Sequence, residues 1–295
     1  PVAAAVTPSI VAIQVDAVAG FGSGSGVVWS AEGLIVTNHH LVEGARTIEV
    51  LFTDGLSYPA QLVGSDPLTD LAVLEVDGAD LAPIRRGRVE EIGVGDQAAA
   101  VGNPLGLRGG PSVTTGIVSA FGRTLRVTVE NDILYGLIQT DAPITRGSSG
   151  GALVDAQGRL IGITTAIGVS DVGAEGLGFA IPIDVVASVV ADLIADGEVS
   201  HAFLGITGRT VLSQNEAGAS FPAGAEISEF AEPSSLRGAG ARVGDVIVAM
   251  DGEPIATIDD LIALLRKRRA GETVTITVDR AAEAIDVEVI LGIRP

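Results

Sequence analysis

The chain has 295 residues, 47% of them hydrophobic, so it can build two or three packed cores and is not disordered by composition. A net charge of −19 with a single lysine, Lys267, argues against nucleic acid as a partner, and the absence of cysteine excludes disulfides and thiolate metal sites. With 39 glycines, only 3% aromatics and many short Val/Ile/Thr runs, the composition favours a turn-rich β protein over a helical bundle, and no stretch reaches the roughly 18 apolar residues that span a bilayer.

The sequence opens at Pro1-Val2-Ala3 without the basic region and apolar core of a signal peptide, and reads as a mature or trimmed form from which an upstream signal or anchor could have been removed. A first strand is expected from Ser9 to Val15. The run Gly20-Phe21-Gly22-Ser23-Gly24-Ser25-Gly26 follows as a turn before Val27-Val28-Trp29. It is no nucleotide loop, because neither phosphate-binding glycine spacing fits and a strand comes next where a helix is required. The strand Gly33 to Thr37 ends in Asn38-His39-His40, and strands at Ile48–Phe52 and Ala60–Val63 flank an Asp54-Gly55 turn. Asp70 then opens the apolar run Leu71 to Val76, a place where a carboxylate either satisfies turn amides or, desolvated, orients an imidazole. Short strands continue at Gln97–Val101, Gly116–Ala120, Leu134–Gln139 and Leu160–Thr165, a regularity that suggests closed β-barrels.

Between the last two of these strands lies Gly147-Ser148-Ser149-Gly150-Gly151, followed by Ala152-Leu153-Val154. Taken alone this is an ordinary polar turn. With a histidine and an aspartate elsewhere in the chain, it becomes a candidate nucleophile loop, since a serine hydroxyl needs a base to remove its proton and glycines can turn N–H groups towards an oxyanion. Gly147 and Ser149 would supply those donors.

A helix is expected over Ile183–Ala195, with Val185, Val186, Val189, Val190, Leu193 and Ile194 on one face and Gly197 at its stop. A domain boundary near Glu198–His201 divides the chain into 1–198 and 199–295. In the second part Thr257 with Asp260 reads as a capping box, opening a helix whose Ile258, Leu261, Ile262 and Leu265 share a face. The run Arg266-Lys267-Arg268-Arg269 suits that helix's last turn, where cations complement the macrodipole. Val274–Val278 and Ile285–Val289 alternate with the period of strands.

Thr37-Asn38-His39-His40-Leu41-Val42, Thr69-Asp70-Leu71-Ala72-Val73-Leu74 and Gly147 to Val154 resemble, in order, the three triad motifs of trypsin-like serine proteases. Asn103-Pro104-Leu105-Gly106, Thr114–Ala120, Ile138–Ala142 and Gly176–Pro182 narrow the resemblance to the HtrA (DegP-like) proteases, and Phe203-Leu204-Gly205-Ile206 with Gly244–Gly252 resembles a bacterial PDZ domain. The resemblance implies a mainly β fold, a double six-stranded β-barrel followed by a PDZ domain. It implies a serine endopeptidase with catalytic His40, Asp70 and Ser149, an oxyanion hole at Gly147 and Ser149, and His39 as a bystander where the family usually has asparagine. The family's specificity pocket falls on Pro143, with Ile144 and Thr164, and no cofactor is implied. Thr145-Arg146 and Ser148 depart from the residues the family usually carries before its nucleophile. The loops expected to order the oxyanion site are Arg123–Asp132 and Ile167–Glu175.

Further implications are unfolded or misfolded proteins as substrates, a bacterial extracytoplasmic location in protein quality control, and trimeric assembly, although the first 20 residues lack the N-terminal aromatics through which family members commonly associate. In the PDZ part, C-termini of substrates or activators would pair beside the strand from Leu204. Their carboxylate would meet N–H groups of Phe203, Leu204, Gly205 and Ile206, and their last side chain would enter a pocket walled by the helix face of Leu261, Ile262 and Leu265, residues whose alternative reading is simply core. The alternative function is a catalytically weak or inactive peptide-binding scaffold or chaperone acting through the PDZ domain.

Overall fold

The computed structural model describes residues 2–17, 20–77, 81–104, 110–126, 133–145, 147–165, 177–215 and 217–295. The chain forms two compact units, Pro1–Val199 and Ser200–Pro295. Among the described residues no helix is long and apolar enough to cross a membrane.

In the first unit a short helix, α1 (Val2–Val6), precedes two closed barrels. Strands β1 (Ile10–Ala17), β2 (Gly20–Val28), β3 (Leu34–Thr37), β4 (Ala45–Leu51), β5 (Ser57–Asp66) and β6 (Leu71–Val76) close in the order β1-β2-β3-β6-β5-β4. Strands β7 (Gln97–Gly102), β8 (Ser112–Arg126), β9 (Ile133–Thr140), β10 (Ala152–Asp155), β11 (Leu160–Thr165) and β12 (Gly178–Pro182) close as β10-β11-β12-β9-β8-β7. Each barrel has its own filling, Val11, Ile13, Ile35 and Leu74 in one and Leu153, Ile138 and Ile161 in the other. A third cluster, with Leu71, Val73, Val101, Val154 and Ile163, draws on both barrels and packs beneath α3 (Ile183–Asp196).

The glycine run is the main departure from the sequence expectation. It is a strand throughout, paired with β1 from Ala17↔Gly20 to Ile10↔Val27. The physical reason is space: a Cβ on Gly24 would run into Leu41, and one on Gly26 would sit 2.8 Å from both Ile13 Cδ1 and Ile35 Cγ2. Smallness, not turning, is what the run supplies there. Helix α3 ends at Gly197, whose N–H returns to Leu193 O at 3.0 Å, as its sequence indicates. Ile194, expected on the apolar face, is instead 43% exposed, because the buried stripe follows Val186, Val189, Val190 and Leu193.

The second unit holds β13 (Ala202–Phe203), β14 (Ile206–Gln214), β15 (Ser220–Phe230), α4 (Ser235–Gly238), β16 (Val246–Met250), β17 (Glu253–Pro254), α5 (Ile258–Leu265), β18 (Thr273–Arg280), β19 (Glu283–Ile290) and β20 (Gly292–Ile293). Its main sheet runs β14-β15-β16-β18-β19, which leaves β14 at an edge. Thr257 and Asp260 close the expected capping box on α5, with Asp260 N donating to Thr257 Oγ1 at 3.0 Å and Thr257 N to Asp260 Oδ2 at 2.8 Å. The helix stops at Leu265, so the basic run lies just past it, where Arg268 reaches Asp251 Oδ2 at 2.9 Å.

One buried charge bears on this unit's stability. Asp245 is 2% exposed and accepts both arms of Arg280 at 2.7 Å, together with the Arg242 backbone N–H at 2.8 Å. The Arg280 hydrogen bond, outweighing the opposing effect of burial, holds the carboxyl below its ordinary value of 3.8. A carboxylate depressed in this way contributes fully above the unfolded-state pKa, and its contribution disappears as pH falls through the lower folded value. Asp245→Asn is therefore expected to cost about 1.5–3 kcal/mol at neutral pH and to flatten the loss of stability below about pH 4, as measured by chemical unfolding of the full chain.

Candidate active site

His40 and Asp70 come together at one end of the first barrel. Asn38 leads from β3 into a single helical turn, α2 (His39–Val42), which turns the two histidine rings to different neighbours. His40 Nδ1 lies 2.9 Å from both Asp70 oxygens, and the His40 backbone N–H donates to Asp70 Oδ1 at 3.0 Å. His39 Nδ1 meets Ser65 Oγ at 3.0 Å instead. Asp70 is buried and sits at φ 58°, a left-handed backbone position that aspartate tolerates better than most residues. Its carbonyl is held by Asn38 Nδ2 at 2.9 Å and by the His39 N–H at 3.2 Å. Backbone and carboxylate are thus both anchored to the segment that carries the imidazole.

The candidate nucleophile loop, Gly147 to Gly151, reaches this end from the second barrel, and residues of both barrels fix its peptide groups. Ser25 Oγ donates to Gly147 O at 2.7 Å while the Ser148 N–H donates to Thr145 O at 2.9 Å. Ser148 O accepts from Thr164 Oγ1 at 2.6 Å and from the Gly151 N–H at 3.0 Å. Ser149 O accepts the Ser25 N–H at 2.8 Å, and the Gly150 N–H donates to Thr164 O at 2.9 Å. A trans peptide sets its C=O and N–H in opposite directions, so anchoring the Ser148 carbonyl at Thr164 turns the Ser149 N–H away from that strand. Gly150 has φ 81°, and a Cβ there would collide with Ser25 O and Thr37 Oγ1, so only glycine lets the loop lie this close to β2.

Strand β11 joins the two halves. Thr164 holds the nucleophile loop, and Thr165, pointing to the other face, places Oγ1 3.4 Å from Asp70 Oδ2. Thr164, expected in the specificity pocket, is 1% exposed, so it serves as a support beneath the loop and offers almost no surface to a ligand. Of the other two pocket residues, Pro143 is exposed, with its carbonyl bonded to Thr114 Oγ1 at 2.7 Å, and Ile144 is half-buried against Gly178. Ser25, Thr37 and Thr165 escaped the sequence reading. Their one signal is a hydroxyl in an otherwise apolar or glycine-rich strand. Arg146, residues 127–132 and residues 167–175, among them most of the loops expected to order the oxyanion site, lie outside the described residues, as do Leu105, Gly106 and Gly176 of the motifs. Among the described residues no group of three or more His, Asp or Glu side chains gathers that could hold a metal ion.

The second unit presents a separate feature. The carbonyls of Phe203, Leu204 and Gly205 accept from Ser235 Oγ at 3.3 Å, the Leu236 N–H at 3.2 Å and the Ala231 N–H at 3.0 Å respectively. By the same trans-peptide geometry, the N–H groups of Leu204, Gly205 and Ile206 face away from the 231–236 segment, towards the start of the edge strand β14. Leu204 and Leu261 are both 1% exposed core residues, so of Leu261, Ile262 and Leu265, expected to wall a peptide pocket, Ile262 and Leu265 keep accessible surface, with Ile258 beside them on α5 and Phe203 and Ile206 on the strand side.

A family model described as a trypsin-like peptidase domain matches residues 24–163, and one described as a PDZ domain matches residues 203–291. A probable periplasmic serine endoprotease, DegP-like, of Pseudomonas putida (strain W619) is 39% identical over 274 residues, covering 92% of this chain and 56% of the relative. Serine protease PepD of Mycobacterium tuberculosis is 38% identical over an alignment of 312 residues, covering 99% of this chain and 65% of PepD. The chain therefore spans 56–65% of the length of these curated relatives. A solved structure of the HtrA-type protease AlgW with a tripeptide has a TM-score of 0.80 at 36% identity, over 100% of this chain and 96% of that one. Agreement of this depth, running through both units, goes beyond a shared barrel architecture, and the chain belongs to the HtrA family of trypsin-like serine proteases.

Proposed function

We propose that the chain is a serine endopeptidase that degrades or processes unfolded or damaged proteins outside the cytoplasm. The observation that carries this reading is the imidazole of His40 bonded through Nδ1 to a buried, doubly anchored Asp70 carboxylate, which leaves Nε2 as the nitrogen for a serine proton. Ser149 Oγ attacks the scissile carbonyl as His40 takes its proton. The oxyanion is received by N–H groups of Gly147 and Ser149, and His40 then passes the proton to the leaving amine. Water, deprotonated by the same imidazole, hydrolyses the acyl-enzyme and regenerates Ser149. Asp70 holds the tautomer and stabilises the imidazolium. The extracytoplasmic location is supported by relatives whose names place them in the periplasm.

The PDZ unit captures chain ends. An extended C-terminal peptide would add to the free edge of β14, its carboxylate held by the amides of Leu204, Gly205 and Ile206 and its last side chain lying against Ile206 and Leu265. AlgW, a structural relative, has been solved with a tripeptide and with a decapeptide.

Specificity follows from Pro143 and Ile144. With no carboxylate there, a buried arginine or lysine side chain of the substrate would lack a counter-charge, at a cost of several kcal/mol. The half-buried Ile144 side chain, packed against Gly178, favours a shallow apolar site. Cleavage profiling on proteome-derived peptides, read by mass spectrometry, is expected to show cuts after small aliphatic residues such as valine and alanine, with about 10–200-fold discrimination per methylene at most. Dominant cleavage after arginine would overturn the pocket assignment, and absence of any cleavage would favour the scaffold alternative.

A further inference from the structure

The glycine-serine run in β2 takes no direct part in the chemistry above, yet its Ser25 touches the nucleophile loop on both sides of Ser148. We propose that Ser25 is a positioning residue for the oxyanion site: its hydroxyl fixes the Gly147 carbonyl, and with it the 147–148 peptide that links the two peptide groups presenting N–H donors at Gly147 and Ser149. The proposal rests on the serine-endopeptidase reading.

Three features carry it. First, the Ser25 hydroxyl has a defined direction. It is fully buried, it accepts the Asn103 N–H at 2.8 Å, and its one proton goes to Gly147 O at 2.7 Å. Second, the residue it restrains is the one least able to restrain itself. Gly147 sits at φ 87°, a position glycine leaves at little cost, and within the loop its 147–148 peptide is held only at the N–H end, by Ser148 N–H to Thr145 O at 2.9 Å, so the carbonyl end depends on Ser25. Third, Ser25 acts twice, since its backbone N–H holds Ser149 O at 2.8 Å while Thr37 Oγ1 fixes Ser25 O at 2.8 Å. Ser25 on one barrel and Thr164 on the other therefore clamp the successive carbonyls of Gly147, Ser148 and Ser149. Removing the Ser25 hydroxyl releases the first and leaves the other two in place.

The experiment uses the full chain and a peptide substrate chosen by the cleavage profiling. Ser25→Ala is expected to lower kcat by about 10–100-fold, less than the roughly 10²–10³ of losing an oxyanion donor outright, with KM changed by less than about threefold. Affinity for a peptide boronate, whose tetrahedral adduct occupies the oxyanion site, should fall by a similar factor. Binding of the uncleaved peptide, measured in a Ser149→Ala background, should stay the same when Ser25→Ala is added. Ser25→Cys, which keeps a weaker donor, should fall between the two, and it carries the test if Ser25→Ala does not fold by circular dichroism. A kcat within about threefold of the parent, or a loss confined to KM and peptide binding, overturns the proposal. A parent protein that cleaves no peptide and is not labelled at Ser149 overturns the endopeptidase reading itself, which separates the two failures.

Discussion

Ser149→Ala is expected to lower turnover of an unfolded protein such as casein by about 10⁶ while leaving the fold intact. The size of the effect comes from the role proposed for this side chain, since without Oγ no acyl-enzyme forms and only binding and oxyanion stabilisation remain. The fold should survive because the peptide groups around residue 149 are held by Ser25, Thr164 and Gly151, none of which uses the Ser149 side chain. Initial rates on labelled casein, with thermal unfolding as the control for structure, check both halves of the statement. Retention of parental activity would remove Ser149 from the mechanism.

Asp70→Asn should cost about 10⁴ in kcat, through a change of hydrogen bonding more than of shape. The carboxylate accepts from His40 Nδ1, from the His40 backbone N–H and, at 3.4 Å, from Thr165 Oγ1. Asparagine can keep the bond from the backbone with its carbonyl oxygen. Its NH₂ then faces Nδ1 and favours the tautomer that carries the proton on Nε2, the nitrogen that must accept one from serine. Asparagine also occupies left-handed backbone positions readily, so the φ of 58° at residue 70 is no obstacle to folding. Steady-state kinetics on the profiled peptide should show the loss in kcat with little change in KM. A loss below about tenfold would mean that Asp70 is structural and that another group orients His40.

What the sequence made legible divides along the range of the interactions. The proposed triad residues each stand in a short contiguous motif, and it was the resemblance of those three motifs to the family's, taken together, that singled out His40, Asp70 and Ser149, since each residue alone reads as structural. The Thr257/Asp260 cap and the stop at Gly197 are equally local, completed within four residues. Contacts between segments far apart were not readable. Ser25 and Gly147 are 122 residues apart, and nothing near Ser25 in the chain distinguishes a clamp from an ordinary hairpin serine. The glycine run of β2 misled for the same reason, because the side chains that fill the space over Gly24 and Gly26 come from Leu41, Ile13 and Ile35. Thr164 and Leu261 were placed on binding surfaces because polarity and helical period identify a face without showing what covers it. In the structure one lies under the nucleophile loop and the other in the core.

The central claim is that Ser149 is a nucleophile made reactive by His40 and Asp70. A fluorophosphonate probe, which reacts with activated serine hydroxyls, tests it without knowledge of the natural substrate. Intact-mass and peptide mapping of the labelled full chain should place one probe adduct per molecule on Ser149, with labelling lost in Ser149→Ala and slowed by roughly the kinetic factor of about 10⁴ in Asp70→Asn. A chain that stays unlabelled under conditions that label a known serine protease, or one labelled equally well with Ser149 replaced, would contradict it.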